Sequence, residues 1–291
     1  MGALPDVSLT AFGVAAFRAA ETARDDRLFA DPYAEGFLRA AEPSSWSAPE
    51  TGRRRREGLA TWVSVRTRFL DDLLLEACAD GARQVVILGA GLDARGFRLH
   101  WPTGLRLYEL DMAGVLQFKQ AVIDSEGWRP ACERVAVAVD LSEDWTRPLF
   151  EAGFDASRHV AWVAEGLLAY LSPATSDALV ARAGELSQPG SRFGLTLASS
   201  RRLRAWREAH REGADDPDDY VSLWRSANAE QAVQWLAANK WRAEVFEIEE
   251  RAASYGRPLS GRARADEGGA PAANEAARER SGARLVDAVR V

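Results

Sequence analysis

Between residues 85 and 199 five short apolar runs recur, and stretches of helical periodicity separate most of them. They are VVIL (85–88), LRLYELD (105–111), RVAVAVDL (134–141), the first half of HVAWVAEGLLAYL (159–171) and SRFGLTLAS (191–199). Strands that are apolar at successive positions need cover on both faces, and the intervening helices supply it. The chain is therefore predicted to be α/β and doubly wound, with a mostly parallel sheet. Two late runs, WRAEVFEIEE and ARLVDAVRV, bring the expected sheet to seven strands.

The flanking segments predict accessories to that sheet. Residues 8–40 read as helical, with Asp31-Pro32 marking a helix start because Asp caps and Pro suits the first turn. Residues 42–54 read as loop, and Arg53-Arg54-Arg55-Arg56 as a solvated turn before the next helix. From Glu57 to Ala79 an apolar stripe runs through Leu59, Trp62, Val63, Phe69, Leu70, Leu73 and Leu74. Arg66 falls on that stripe, whereas Arg68 and Asp71 fall off it. A guanidinium on a buried face needs an anionic partner. An internal salt bridge and a ligand carboxylate answer that need equally well. Residues 201–240, charged and Trp-bearing, read as an inserted helical cap, and 260–282 as a mobile loop by composition. The whole chain, 1–291, reads as one domain with a helical cover at 1–80.

Composition narrows the partners. Acids outnumber bases, 43 to 37, for a net charge of −6, which argues against nucleic acid or an anionic membrane as the main partner. The two cysteines form no disulfide framework, and the three isolated histidines add no metal motif, so no metal is expected. No apolar run is long enough to span a bilayer and the first residues lack a basic leader, so the reading is cytoplasmic. Among the basic residues only Lys119 and Lys240 are lysines, a bias that lowers the surprise of any single arginine.

Open parallel sheets bind ligands at the carboxyl ends of their strands. After the first run stands Gly89-Ala90-Gly91-Leu92-Asp93-Ala94-Arg95-Gly96, where two close glycines allow a tight turn and a near approach to a ligand. The second run ends in Glu109 and Asp111, on one face of the strand. Asp111 lies 22 residues beyond Gly89, where an acid can take both hydroxyls of a ribose. The third ends in Asp140-Leu141, suited to the amino edge and ring face of an adenine. The fourth ends in Glu165, the lone charge between Val160 and Leu171. One strand-end acid is ordinarily solvated or capping, but four in succession point to a nucleoside ligand. Gly89-x-Gly91-x-x-Ala94 also satisfies the relaxed dinucleotide fingerprint, which keeps an NAD-dependent oxidoreductase in view. A pyrophosphate, however, needs a clean helix N-terminus, and Gly96 with Pro102 make a poor, short helix. Acids around one buried Arg66 suit S-adenosylmethionine better.

The run VRTRFLDDLLLEACADGARQVVILGAGLDARGFRLHWPTGLRLYELDMAGVLQFKQAVI resembles the leucine carboxyl methyltransferase-like family, whose bacterial members are S-adenosylmethionine-dependent O-methyltransferases. RLFADPYAEGF, AEGLLAYLSP and YGRPL match in order. The resemblance implies a class I methyltransferase-like, Rossmann-like fold and carries roles to matching residues. Arg66 would bind the cofactor's carboxylate, with Arg18 as a second cation. Gly89 and Gly91 would contact the methionine portion, and Asp111 would hold the ribose. Asp140 and Leu141 would frame the adenine, and Glu165 would stand near the ammonium and sulfonium.

The expected reaction is methyl transfer to a carboxylate or phenolic hydroxyl of a small molecule, in polyketide or other secondary metabolism. Methylation of a protein's C-terminal carboxylate and a cofactor-binding module without turnover are the alternatives. Trp206, Tyr220, Trp224 and Trp235 would roof the acceptor pocket or simply pack the cap. No residue stands out as a catalytic base. Tyr170, His210 and Tyr255 read as structural or exposed rather than catalytic.

Overall fold

A computed structural model describes residues 6–41, 53–200, 203–204, 208, 225–227, 229–257 and 283–291. Seven strands form one sheet: β1 (Gln84–Leu88), β2 (Arg106–Asp111), β3 (Glu133–Ala138), β4 (Val160–Ala164), β5 (Arg192–Leu197), β6 (Trp241–Glu247) and β7 (Arg284–Arg290). Their order across the sheet is β3-β2-β1-β4-β5-β7-β6, and β7 alone runs antiparallel to its neighbours. Chain direction across the sheet reverses between β1 and β4. Such a switch point opens a crevice at the strands' carboxyl ends.

Alternation along the strands explains why successive positions are apolar. On β1, Val86 and Leu88 face one layer with Tyr108, Trp162, Phe193 and Trp241. Val85 and Ile87 face the other, against Phe69, Leu70, Leu73 and Leu74 of helix α3 (Arg53–Ala79). Both layers are buried, so the doubly wound expectation holds.

The cover is built from α1 (Asp6–Thr22) and α2 (Ala34–Ala40), both packed together, with α1 also against α3. The predicted helical stretch 8–40 is thus two helices, the second opening just past the expected start at Asp31-Pro32. Asp31 ends the intervening turn by accepting the Ala34 and Tyr33 amides at 3.1 and 3.2 Å. The four arginines at 53–56 form the first turn of α3 instead of preceding it. Between the strands lie α4 (Arg95–Arg98), α5 (Ala113–Glu126), α6 (Thr146–Glu151) and α7 (Pro173–Glu185), the last capped by Ser172, whose side chain accepts the Thr175 amide at 3.1 Å.

Of the expected cap, 229–240 is described and most of 201–228 is not, so Trp206, His210, Tyr220 and Trp224 lie outside the described residues. In the described part, α8 (Ala232–Ala238) packs on β6, and Trp235 donates to Asp177 of α7 at 2.6 Å, so this indole packs α8 to its neighbour. WRAEVFEIEE splits into β6 and α9 (Ile248–Ser254). The predicted loop at 260–282 lies outside the described residues. Among them, no helix is long and apolar enough to cross a membrane.

Candidate active site

The loop after β1 meets the loop after β4 at the switch point. Gly89 has φ +64°, and a Cβ there would come within 2.9 Å of the Leu167 side chain. Left-handed backbone and close approach both select glycine at this position. Two residues on, the Gly91 amide donates to Asp111 Oδ2 at 2.6 Å, while the Met112 amide donates to Oδ1 at 2.7 Å. Each oxygen keeps an accepting lone pair for a further donor. Burial pushes the Asp111 carboxyl above its ordinary range, and the two amides only partly offset it.

Arg66 projects from α3 into the same place, its side chain 5% exposed. Nε donates to Glu165 Oε1 at 2.9 Å, and the guanidinium lies over the Trp62 ring, 4.1 Å from its centre. Nη1 and Nη2 make no hydrogen bond to any described residue. Gly166 (φ +65°) leaves them room, since a Cβ there would sit 3.2 Å from Nη1. The two explanations for a buried Arg66 therefore coexist in one side chain: an internal pair through Nε and two uncommitted donors beside it. Burial lowers the Arg66 pKa, against the opposing field of Glu165.

Glu165 stands immediately past β4 with its side chain 12% exposed. Oε1 also accepts the Thr67 hydroxyl at 3.2 Å, and Oε2 pairs with Arg95 Nη1 at 2.8 Å. Arg95 in turn donates through Nε to Asp71 at 2.7 Å, through Nη1 to Asp93 and through Nη2 to the Thr67 carbonyl at 3.3 Å. Arg98 grips Asp71 with both Nη groups, at 2.6 and 2.7 Å. Three guanidiniums thus meet three carboxylates. Burial alone would raise Asp93, but Arg95, Lys119, Arg18 and Arg98 hold it at about 2. Glu165 is likewise lowered because Arg95 and Arg66 outweigh its burial. Arg95 is raised well above its ordinary value, since Asp93, Glu165 and Asp71 together overcome its desolvation. Arg95 and the Asp93 and Glu165 carboxylates it pairs with are thus each held in the charged form by the others.

Sequence reasoning placed Asp71 off the apolar stripe and gave Asp93, Arg95 and Arg98 no role. Asp71 is in fact buried, because the face it occupies is covered by the charged loop after β1 and not by apolar side chains. The signal was present in Asp93-Ala94-Arg95, an opposite-charge pair beside a glycine turn, but the abundance of arginine masked it.

The remaining predicted residues take different places. Arg18 donates Nε to Asp31 at 2.8 Å and Nη2 to the Leu92 carbonyl at 2.6 Å, bracing the glycine loop from α1. Asp140 is exposed just past β3, where hydrogen bonds from the Ser142 hydroxyl and amide pull its carboxyl below the usual range. Half-buried Leu141 follows it, and the Val139 amide donates to the Asp111 carbonyl at 2.9 Å. Glu109 shares a strand face with Asp111 but does not join the site, being paired with Lys119 and Arg134 at 2.8 Å each. Half-buried Tyr170, on the turn after Glu165, bears on the charge of Arg66. Tyr255 instead donates to Asp72 at 3.1 Å.

A dinucleotide fits this loop poorly. Helix α4 has four residues, and its Arg95 amide is already taken by Asp93 Oδ1 at 2.6 Å, where a phosphate would have to bind.

Known proteins agree with that exclusion. The profile of the leucine carboxyl methyltransferase family matches residues 11–184. A Streptomyces coelicolor protein is 48% identical, with 86% of this chain and 88% of that protein covered. Another, from Streptomyces avermitilis, is 46% identical over 86% and 88%, and one from Frankia alni 46% over 89% and 91%. Each bears the name "putative S-adenosyl-L-methionine-dependent methyltransferase". In fold, the chain resembles the crystal structure of a "putative methyltransferase" from Thermobifida fusca. The TM-score is 0.55 at 18% identity, with 95% and 94% of the two chains covered.

Proposed function

This chain belongs to the leucine carboxyl methyltransferase family and is an S-adenosylmethionine-dependent methyltransferase, and from that premise we propose that it methylates a carboxylate or phenolic oxygen of a small molecule. The acceptor belongs to secondary metabolism, with an aromatic polyketide as the model case. The observation that carries the site reading is Arg66, whose Nε is held by Glu165 while neither Nη group bonds to a described residue. An α-amino acid tail offers a carboxylate to such a pair of donors and an ammonium to the acid beside them.

The other residues fit the rest of the cofactor. Asp111, fixed by two amides, has lone pairs left for the ribose hydroxyls. Asp140 and Leu141 frame the adenine, Gly89 and Gly91 let the backbone approach the methionine portion, and Arg18, which braces their loop at the Leu92 carbonyl, adds a second positive charge near Arg66. When bound, S-adenosylmethionine supplies an electrophilic methyl group on a cationic sulfur. The chain's task is to orient both reactants and exclude water, while Glu165 keeps a negative charge near the cation. A carboxylate acceptor is ionised at neutral pH and needs no base, whereas a phenol of pKa about 10 benefits from one.

The test is turnover with S-adenosylmethionine and a panel of small aromatic acids, phenols and a peptide ending in leucine, read by S-adenosylhomocysteine release and product mass. A methyl ester or ether of a small molecule is the expected product. Methylation of the peptide alone would move the acceptor to proteins. In the same series Arg66→Ala should weaken S-adenosylmethionine about 10- to 100-fold by calorimetry, the worth of charge-assisted hydrogen bonds.

A further inference from the structure

We infer that Arg95 is a positioning residue for Glu165, and that through it the crevice selects ligands carrying an α-amino acid tail over the bare nucleoside. The inference rests on the cofactor reading above and extends it to a residue that meets no ligand. The Arg95 side chain is 1% exposed, and its donors all point into the protein, at Asp71, Asp93, Glu165 and the Thr67 carbonyl. Whatever it does for binding, it does through another group.

Glu165 is the member of this cluster that faces both ways. Oε2 is held from behind by Arg95, leaving Oε1 to be shared by Arg66 and Thr67. Without Arg95 the buried carboxylate would have Arg66 as its sole cation among the described residues, and the strong attraction within a desolvated pair would draw the two together. Arg66 would then spend its Nη groups on Glu165, and a ligand carboxylate would have to break that pair. A second cation behind Glu165 removes the conflict.

The preference over a bare nucleoside comes from the bonds that Arg66 and Glu165 offer a charged tail, and charge balance requires that tail to be a zwitterion. Arg66, Arg95 and Arg98 offset Asp71, Asp93 and Glu165, so the buried cluster is neutral as it stands. A zwitterion keeps it neutral, while a lone carboxylate or a lone ammonium would leave an uncompensated charge. The cluster also rivets α3, which carries Arg66, to the loops after β1 and β4. The planar guanidinium fork reaches three acids in different directions, and a lysine ammonium does not reproduce that geometry.

The test is calorimetry of the full chain, wild type, Arg95→Lys, Glu165→Gln and the double variant, each titrated with S-adenosylhomocysteine and with 5′-methylthioadenosine, which lacks the amino acid tail. Arg95→Lys should weaken S-adenosylhomocysteine about 10-fold or more, and methylthioadenosine less than about 3-fold. In the Glu165→Gln background the same lysine should cost little more, because coupled residues are not additive. Equal losses for both ligands in Arg95→Lys, or an undiminished tenfold loss in the Glu165→Gln background, would overturn the inference. Wild-type protein that binds S-adenosylhomocysteine no better than methylthioadenosine would instead overturn the reading of Arg66 and Glu165 on which it rests.

Discussion

Two buried ion clusters flank β2 and β1, and they differ in what they leave undone. At the strand ends, Arg66, Arg95 and Arg98 meet Asp71, Asp93 and Glu165 in equal numbers, yet Arg66 keeps two donors that no described residue takes, beside a partly accessible Glu165. Between β2, α5 and β3, Glu109 is the one described acid paired with Lys119 and Arg134, all three buried or nearly so, and Gln120 takes a further donor of Arg134 at 2.9 Å. The first cluster is balanced and open; the second has surplus positive charge and is closed. Burial and pairing are common to both. On the proposed cofactor reading, what separates a ligand site from a structural pair is a polar atom at a crevice that no described residue occupies.

That contrast predicts opposite consequences for two glutamate-to-glutamine changes. Glu109→Gln strands two buried cations and should cost about 3–5 kcal/mol of stability, the typical penalty for breaking a buried pair by removing one partner. Urea unfolding measures the loss, and the folded fraction should bind S-adenosylhomocysteine as the wild type does. Glu165→Gln should show the reverse weighting, with binding hit harder than stability. A stable Glu109→Gln protein with impaired binding would erase the distinction between the clusters.

The sequence made the sheet legible because its pattern is physical. Val85 to Leu88 are apolar at every position, since one pair faces α3 and the other faces the opposite layer. The strand-end acids were legible too, except that strand periodicity put Glu109 with Asp111 and could not see that Lys119 and Arg134 reach Glu109 first. Asp71 was misplaced for a related reason. An apolar stripe finds the helix face that meets hydrocarbon, and Asp71 is buried against arginines. Pairings between elements distant in sequence, such as Arg66 with Glu165, have no local signature beyond a charge where the pattern asks for an apolar residue.

Acid should dissect the open cluster through Asp93. Its folded pKa, about 2, lies below the ordinary 3.8, so it binds protons less readily folded than unfolded. The stability it contributes is therefore complete above about pH 4 and is lost as pH falls toward 2, amounting to about 2 kcal/mol. The difference in unfolding free energy between wild type and Asp93→Asn should shrink by that amount across this window. A difference that stays constant with pH would mean that the Asp93 charge is not what holds Arg95.

The closed cluster offers the smallest and sharpest test. Lys119→Met replaces one wholly buried cation with an apolar side chain of similar length and leaves Glu109 paired with Arg134 at 2.8 Å. One anion and one cation then remain where one anion and two cations stood, so no charge is stranded. The stability change should stay within about 1 kcal/mol, because a buried pair's desolvation largely cancels its attraction. Part of any change would come from Asp93 and Asp111, whose carboxyls the Lys119 charge also favours. Urea unfolding of Lys119→Met beside Glu109→Gln decides the matter. Losses of similar size would show that Glu109 needs both cations, and that positive surplus in this cluster is a requirement of the fold.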